Sequence, residues 1–258
     1  MQMYNFTLDL VQLAAHRLVE KKQHAFSVDC KNENPRDIVT SLDVDINTFI
    51  TEHIQAAYPE HSIYSEEAVK IAGNGYQWVL DPIDGTASFA RGIPQYCISI
   101  GLLQDGVPEL GAVLDPISGE LFSFHRGRGA FLNGREINVS ERTELGRAFV
   151  LLAPGRNEEQ WEWAGESLKL LLAHANKVKN FGSASLSICY IAAGRLDGLV
   201  AGTYSTIDCA AALGILKAAG GVAHAATKES VSITKDPQRV YIANNDAVAH
   251  GLIDLLEK

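Results

Sequence analysis

Two carboxylates three residues apart at the end of an apolar strand, Asp81 and Asp84 in Trp78-Val79-Leu80-Asp81-Pro82-Ile83-Asp84-Gly85-Thr86, are the densest chemical signal in the sequence. Pro82 fixes one backbone dihedral and removes a donor, so the turn can hold both carboxylates and a free backbone carbonyl toward one point. Gly85 permits close approach of backbone to a ligand, and Thr86 is expected to cap a short helix whose free N–H groups face an anion. Metal and phosphate could meet in such a turn. The competing reading is a plain strand-ending turn, and the sequence supplies its own comparison. Val113-Leu114-Asp115-Pro116-Ile117-Ser118-Gly119 repeats the pattern with Ser118 in place of the second acid. That copy is expected to be a hairpin turn, because Asp-Pro and Ser-Gly are turn residues in their own right. Local sequence leaves both readings of the first copy open.

Three further acidic positions carry the same ambiguity. Ser65-Glu66-Glu67 follows the short run Ile63-Tyr64 and reads either as a solvated loop or as a ligand pair. Asp208 precedes the apolar run Cys209 to Leu216, where an acid also stabilises a helix start. Asp43 lies three residues after Thr40, the capping-box spacing with a shortened acid. Other chemistries are excluded by spacing. Asp43-Val44-Asp45-Ile46-Asn47 opens like a calcium loop but has Thr48 at position six and Ile54 at position twelve, where glycine and glutamate are needed. Gly127-Arg128-Gly129 lacks the third glycine of a dinucleotide fingerprint, since Leu132 stands there. Neither a GxSxG elbow nor an HExxH pair occurs.

The elements that must position these residues fall into two regimes. Leu10, Leu13, Ala14 and Leu18 sit at helical spacing within Phe6 to Lys22, and a second helix is expected from near Thr40 to Tyr58-Pro59. From Gln77 to Val139, β-rich runs separated by Gly, Asp, Asn and Pro predict an antiparallel sheet. Beyond about residue 145 strands and helices alternate, which predicts a more parallel α/β unit. The division is expected to fall at 1–143 and 144–258, the first carrying most of the candidate acids and the second Asp208. With 31 acidic and 22 basic residues the net charge is −9, so no nucleic-acid ligand is expected and an anionic substrate must be held by something other than bulk charge. Cys30, Cys97, Cys189 and Cys209 have no CxxC spacing and read as reduced, mostly buried thiols. The longest apolar stretch is far short of a bilayer span, and no signal-peptide pattern opens the chain, so no membrane association and a cytoplasmic location are expected.

Taken in order, these motifs resemble those of the inositol monophosphatase family of magnesium-dependent phosphomonoesterases. The resemblance runs from Asp37-Ile38-Val39-Thr40 with Asp43, through Ser65-Glu66-Glu67, Trp78 to Thr86 and Gly127 to Gly134, to Gly182-Ser183-Ala184, Asp208 and Ala218-Ala219-Gly220-Gly221. It implies a layered α/β/α/β/α sandwich with a mainly antiparallel N-terminal sheet and a more parallel C-terminal one. It implies two or three Mg²⁺ ions per site, held by Glu66, Asp81, the Ile83 carbonyl, Asp84 and Asp208, with Glu67 behind them. Asp43, Thr86 and Glu66 would be catalytic, orienting a metal-activated water for in-line attack on phosphorus. Gly85, Thr86, Ser183, Ala184 and Asp208 would contact the substrate, a small phosphate monoester. An all-oxygen ligand set suits Mg²⁺ on chemical grounds as well. A homodimer is expected by the same resemblance.

Two departures bear on the substrate. Where the family usually has tryptophan before the metal aspartate this chain has Ile207, and Ala201 stands seven residues before Asp208, where inositol-selective members carry a glutamate. Alanine cannot accept hydrogen bonds from ring hydroxyls, so a relaxed or redirected preference is expected. Histidinol phosphate, sugar bisphosphates and 3′-phosphonucleotides are alternative substrates, and a non-catalytic, metal-dependent or protein-binding member is the alternative of another class.

Overall fold

The first helix, α1 (Gln2–Lys21), buries Leu10, Val11, Ala14, Ala15 and Leu18 along one stripe, as the apolar spacing predicted, and starts four residues earlier than expected. In this computed structural model, which describes residues 1–30, 34, 37–65, 75–155 and 157–257, two short strands follow, β1 (Val28–Cys30) and β2 (Ile38–Thr40). Helix α2 (Ser41–Ala57) then begins at the capping box read from the sequence. The Thr40 side chain accepts from Asp43 N, and the Asp43 carboxylate accepts from Thr40 N in return.

Next come β3 (Ser62–Ser65), β4 (Tyr76–Asp84), the short helix α3 (Thr86–Ala90), β5 (Cys97–Gln104), β6 (Val107–Asp115), β7 (Glu120–His125), β8 (Gly129–Leu132) and β9 (Arg135–Ile137). These seven strands form one sheet in sequence order, antiparallel throughout except for the β3–β4 pair. The remainder runs β10 (Phe149–Ala153), α4 (Glu158–His174), β11 (Lys177–Lys179), α5 (Ala184–Ala192), β12 (Gly198–Tyr204), α6 (Ala210–Ala218), β13 (Val222–Ala225), β14 (Gln238–Ala243) and α7 (Asp246–Leu256). Its five strands are ordered β11-β10-β12-β14-β13, with β10 parallel to both neighbours and β14 antiparallel to both of its own.

Three apolar cores stack these elements into five layers. Helices α1 and α2 cover one face of the seven-stranded sheet through Leu18, Ile46, Ile50, Trp78 and Ile100. Helices α5 and α6 fill the space between the sheets with Leu186, Ile188, Ala212 and Ile215 against Val113, Phe122, Leu151 and Leu199. On the far face of the five-stranded sheet, α4 and α7 pack Leu171, Val248 and Leu252 onto Val150, Val200 and Tyr241. This is the α/β/α/β/α sandwich expected from the sequence. Cys97, Cys189 and Cys209 are buried and Cys30 is exposed, all four as free thiols. No helix among the described residues is long and apolar enough to cross a membrane.

One ion cluster ties α1 to α2. Asp45 accepts from Arg17 Nε at 2.7 Å, Arg17 Nη2 at 2.9 Å and Lys21 Nζ at 2.6 Å. The Arg17 hydrogen bonds, opposed by burial and reinforced by Lys21, lower the Asp45 pKa from 3.8 to about 2. A carboxylate whose folded pKa is depressed stabilises the fold above its unfolded value and loses that contribution as pH falls through the folded one. Asp45→Asn is therefore expected to lower the unfolding free energy at pH 7, measured by chemical denaturation, by up to about 1 kcal/mol. The difference from the parent protein should shrink as pH falls from 3.8 toward about 2, and a difference independent of pH would show that it has another origin.

Candidate active site

At the end of β4 the chain leaves regular strand geometry, with a register irregularity between Asp81 and Asp84 against β5. Asp81 Oδ1 accepts from Ile83 N at 3.1 Å, turning the backbone around Pro82. The second copy of the motif does the same, Asp115 Oδ1 accepting from Ile117 N at 2.8 Å, but there Ser118 Oγ donates to Asp115 Oδ2 at 2.8 Å and the turn satisfies itself. That copy is the β6–β7 hairpin turn, as expected. In the first copy the second position is a carboxylate, which cannot donate to Asp81, so it must find partners elsewhere.

Asp84 finds them at the N-terminus of α5, about a hundred residues away in sequence. Its carboxylate accepts from Ser183 Oγ at 2.8 Å, Ala184 N at 3.3 Å and Ser185 N at 2.5 Å. Ser183 is also the N-cap of α5, its hydroxyl accepting from Leu186 N. Ser183 and Ala184, expected to contact substrate, here direct their donors at Asp84. Even with these donors, burial pushes the Asp84 carboxyl above its ordinary value. Desolvation of the charged form outweighs the hydrogen bonds, the condition in which a cation at the carboxylate is most stabilising.

Gly85 follows in a left-handed conformation, φ 100°, and a Cβ there would lie 2.6 Å from the Gln95 carbonyl oxygen. It is Gly85, not Thr86, that caps α3, which corrects the expected assignment. A residue at the first helical position directs its hydroxyl away from the helix's own amides. Thr86 Oγ1 accordingly stands 3.1 Å from Asp43 Oδ1 and 2.9 Å from the Ile83 carbonyl oxygen, and its single proton serves one of them at a time. Asp43 is 2% exposed, and its other oxygen, Oδ2, accepts from Thr40 N and Thr40 Oγ1 at 2.8 and 2.6 Å. The capping box of α2 therefore also aims Asp43 at Thr86.

Asp208 arrives from the other side, in the turn between β12 and α6. Thr206 Oγ1 donates to the Ser232 carbonyl at 2.8 Å and accepts from Thr234 N at 2.8 Å, while Ile207 N donates to the Thr234 carbonyl at 3.0 Å. Ile207 is buried against Val79, Leu103 and Ala210 and so fills an apolar position beside the turn. Asp81, Asp84 and Asp208 line one cleft of about 390 Å³ together with Ser183, Ala184 and Tyr204. Glu66 and Glu67 lie outside the described residues. The donors around this cleft are carboxylate, carbonyl and hydroxyl oxygens, a hard set suited to Mg²⁺ rather than to a thiophilic ion. Cys209 also lines the cleft, and burial, together with the negative charge of Asp84, pushes the Cys97, Cys189 and Cys209 thiols up.

Ala201 has no exposed surface and packs in the inner core with Leu151, Leu199 and Val240; Leu151 and Leu199 themselves line the cleft, which the strand also reaches through Thr203 and Tyr204, with a register irregularity between Ala201 and Tyr204. Tyr204 was not among the expected contacts. The signal available for it was only an aromatic residue close before Asp208.

Comparison with known proteins follows the same lines. The model of the inositol monophosphatase family matches residues 1–258. The Nus factor SuhB of Vibrio cholerae is 31% identical over 223 residues, 85% of this chain and 84% of the relative's. A Thermotoga maritima protein named fructose-1,6-bisphosphatase/inositol-1-monophosphatase is 31% identical over 222 residues, 86% of this chain and 84% of its own. The crystal structure of the extragenic suppressor protein suhB from Bartonella henselae superposes with a TM-score of 0.92 at 27% identity, covering 100% of this chain and 99% of that one.

A glutamate placed at position 201 would bury an unpaired carboxylate in the inner core. Ala201→Glu is expected to lower stability by about 3 to 5 kcal/mol, measured by urea unfolding, rather than to redirect substrate preference. An unchanged midpoint with a new preference for polyol phosphates would put this side chain in the cleft instead.

Proposed function

The chain belongs to the inositol monophosphatase family, and from that premise we propose that it is a Mg²⁺-dependent phosphatase of a small phosphate monoester. One observation carries the reading. Asp81, Asp84 and Asp208, from elements more than a hundred residues apart, line a single cleft in a chain of net charge −9. Carboxylates gathered at one point repel one another and repel phosphate, and divalent cations resolve both conflicts. In this reading Asp81, Asp84, Asp208, the Ile83 carbonyl and Glu66 would hold two or three Mg²⁺ ions, with Glu67 supporting the ligands. When bound, the ions supply positive charge for the phosphate oxygens and lower the pKa of the attacking water.

The remaining steps belong to the chain's own groups. Thr86, donating its proton to Asp43 Oδ1, leaves its oxygen lone pairs free to accept from water and so orients the nucleophile. Asp43 is kept as acceptor by Thr40, whose amide and hydroxyl hold Oδ2. The Gly85 and Thr86 amides cradle the phosphate, and Gly85 is required there because the backbone of Gln95 leaves no room for a side chain. Ser183 and Ala184 hold Asp84 at the cleft wall, where substrate also passes, and Tyr204 and Thr203 face the leaving group. Asp208 borders the same space and contacts that leaving group's hydroxyls.

A second reading rests on the name Nus factor carried by the Vibrio cholerae relative. It makes this fold a protein-binding module that retains the carboxylate cleft without turnover. The two readings separate in one experiment. Phosphate release is measured from inositol 1-phosphate, histidinol phosphate, fructose 1,6-bisphosphate and 3′-phosphoadenosine 5′-phosphate, with Mg²⁺ and with excess EDTA. The phosphatase reading expects release that EDTA abolishes. It expects Asp84→Asn to remove activity with an unchanged circular dichroism spectrum, and Thr86→Val to reduce kcat by about 10²-fold or more. Folded protein that releases no phosphate from any of the four would favour the binding module, and release insensitive to EDTA would overturn the metal assignment.

A further inference from the structure

Away from the cleft, two histidines and an aspartate meet where the edge of the five-stranded sheet touches the start of the last helix. His224 lies on the edge strand β13, Asp246 is the first residue of α7, and His250 follows one turn later, so that the two helical side chains share a face. His224 Nε2 stands 2.7 Å from Asp246 Oδ1. The two imidazole rings are 5.3 Å apart and inclined by 40°. One nitrogen from each histidine and one oxygen of Asp246 all lie within 4.8 Å of one another. None of the three lines the carboxylate cleft.

We propose that His224, Asp246 and His250 form a second metal site, one that takes a borderline divalent transition ion such as Zn²⁺, Ni²⁺ or Cu²⁺ rather than Mg²⁺. The donor set decides the class. Imidazole nitrogen favours Zn²⁺, Ni²⁺ and Cu²⁺, whereas Mg²⁺ takes oxygen ligands and sheds its waters reluctantly. Three protein ligands leave the remaining coordination positions to water.

Two features separate this cluster from an ordinary histidine–carboxylate hydrogen bond. First, the His224 side chain is 8% exposed and its Nδ1 is buried without a hydrogen-bond partner, so the fold has already desolvated an imidazole that the Asp246 contact satisfies at one nitrogen alone. Leaving a buried polar atom unpaired is unfavourable, which a site built only for packing avoids by using an apolar residue. Second, a positive charge beside this helix face is neutralised. Lys228, on the turn after β13, pairs with Asp254 at 2.6 Å, one helical turn beyond His250. Ligand atoms on a tetrahedral ion with bonds of about 2.0 Å stand roughly 3.3 Å apart, so the site closes by rotation of the partly exposed His250 toward the other two. A bound ion would clip the edge strand β13 to the first turn of α7.

The test uses the full-length protein with saturating Mg²⁺ and Cu²⁺ as the probe, read by electron paramagnetic resonance. The carboxylate cleft offers oxygen ligands, so nitrogen hyperfine structure reports imidazole ligation. One equivalent of Cu²⁺ showing coupling to two nitrogens is expected. His250→Gln should remove one of these couplings and weaken binding by at least about tenfold, and Asp246→Asn should weaken it similarly. Because His250 is outside the proposed catalytic machinery, Mg²⁺-dependent phosphate release by His250→Gln should match the parent, which also verifies folding where the parent is active; its circular dichroism spectrum does so otherwise. Nitrogen coupling and affinity unchanged in both variants, or a spectrum with oxygen ligation alone, would overturn the proposal.

Discussion

The close approach of α6 to the seven-stranded sheet is the constraint on which the site depends. A Cβ at Gly111 would lie 3.0 to 3.1 Å from Ala211 and Phe124, and one at Gly101 would lie 3.1 Å from the Ala211 amide. On the helix side, a Cβ at Gly214 would enter the Phe124 ring, at 2.1 Å. Small residues on both surfaces therefore let backbone pack almost against backbone. The start of α6 is thereby fixed over β5 and β6, beside the end of β4, and Asp208 in the preceding turn comes to the same cleft as Asp81 and Asp84. Any larger residue at this contact would lift the helix and separate carboxylates that belong to different layers.

Bringing those carboxylates together has an electrostatic consequence. Asp84 is embedded deeply enough for burial to raise its pKa although Ser183, Ala184 and Ser185 all donate to it. Backbone amides at a helix start supply only partial charge, which compensates a carboxylate incompletely when two others stand in the same cleft. The unsatisfied remainder is a demand for cations. The net charge of −9 sharpens that demand, because no general positive field exists to draw in an anionic substrate. In the proposed reading, metal binding and phosphate binding are one property of the cleft.

Much of this was legible in the sequence, and the exceptions share a cause. Thr40 and Asp43 could be read as a capping box because the interaction spans three residues, and the hairpin role of Asp115 because Ser118 completes it locally. The convergence of Asp84 with Ser183 could not, since the bond joins residues 99 apart and depends on how two sheets stack. Thr86 was expected to cap α3 because threonine is a good cap, yet the left-handed φ of Gly85 moves the helix start by one residue and frees the hydroxyl for Asp43. Ala201, set beside the substrate by the family resemblance, has no exposed surface and packs with Leu151 and Leu199, which line the cleft. The last helix, α7, was not anticipated, although Asn245 before Val248, Leu252 and Ile253 carries both a cap and an apolar stripe.

The two Asp-Pro-Ile turns show how little separates a structural turn from a chemical one. Both bend through an aspartate that accepts from the amide two residues on, at 3.1 Å for Asp81 and 2.8 Å for Asp115. In the second, Ser118 donates to the aspartate and the motif closes on itself, needing nothing from the rest of the chain. In the first, Asp84 occupies that place and is an acceptor like Asp81, so the local hydrogen-bond balance is left open. The fold meets part of that need with the start of α5 and adds Asp208, a third carboxylate, to the same cleft. A turn that is satisfied internally has no capacity left for a ligand. A turn that its own residues leave open retains that capacity, and here the groups that gather at it are carboxylates beside a cleft, the hard oxygen donors that the proposed Mg²⁺ would take.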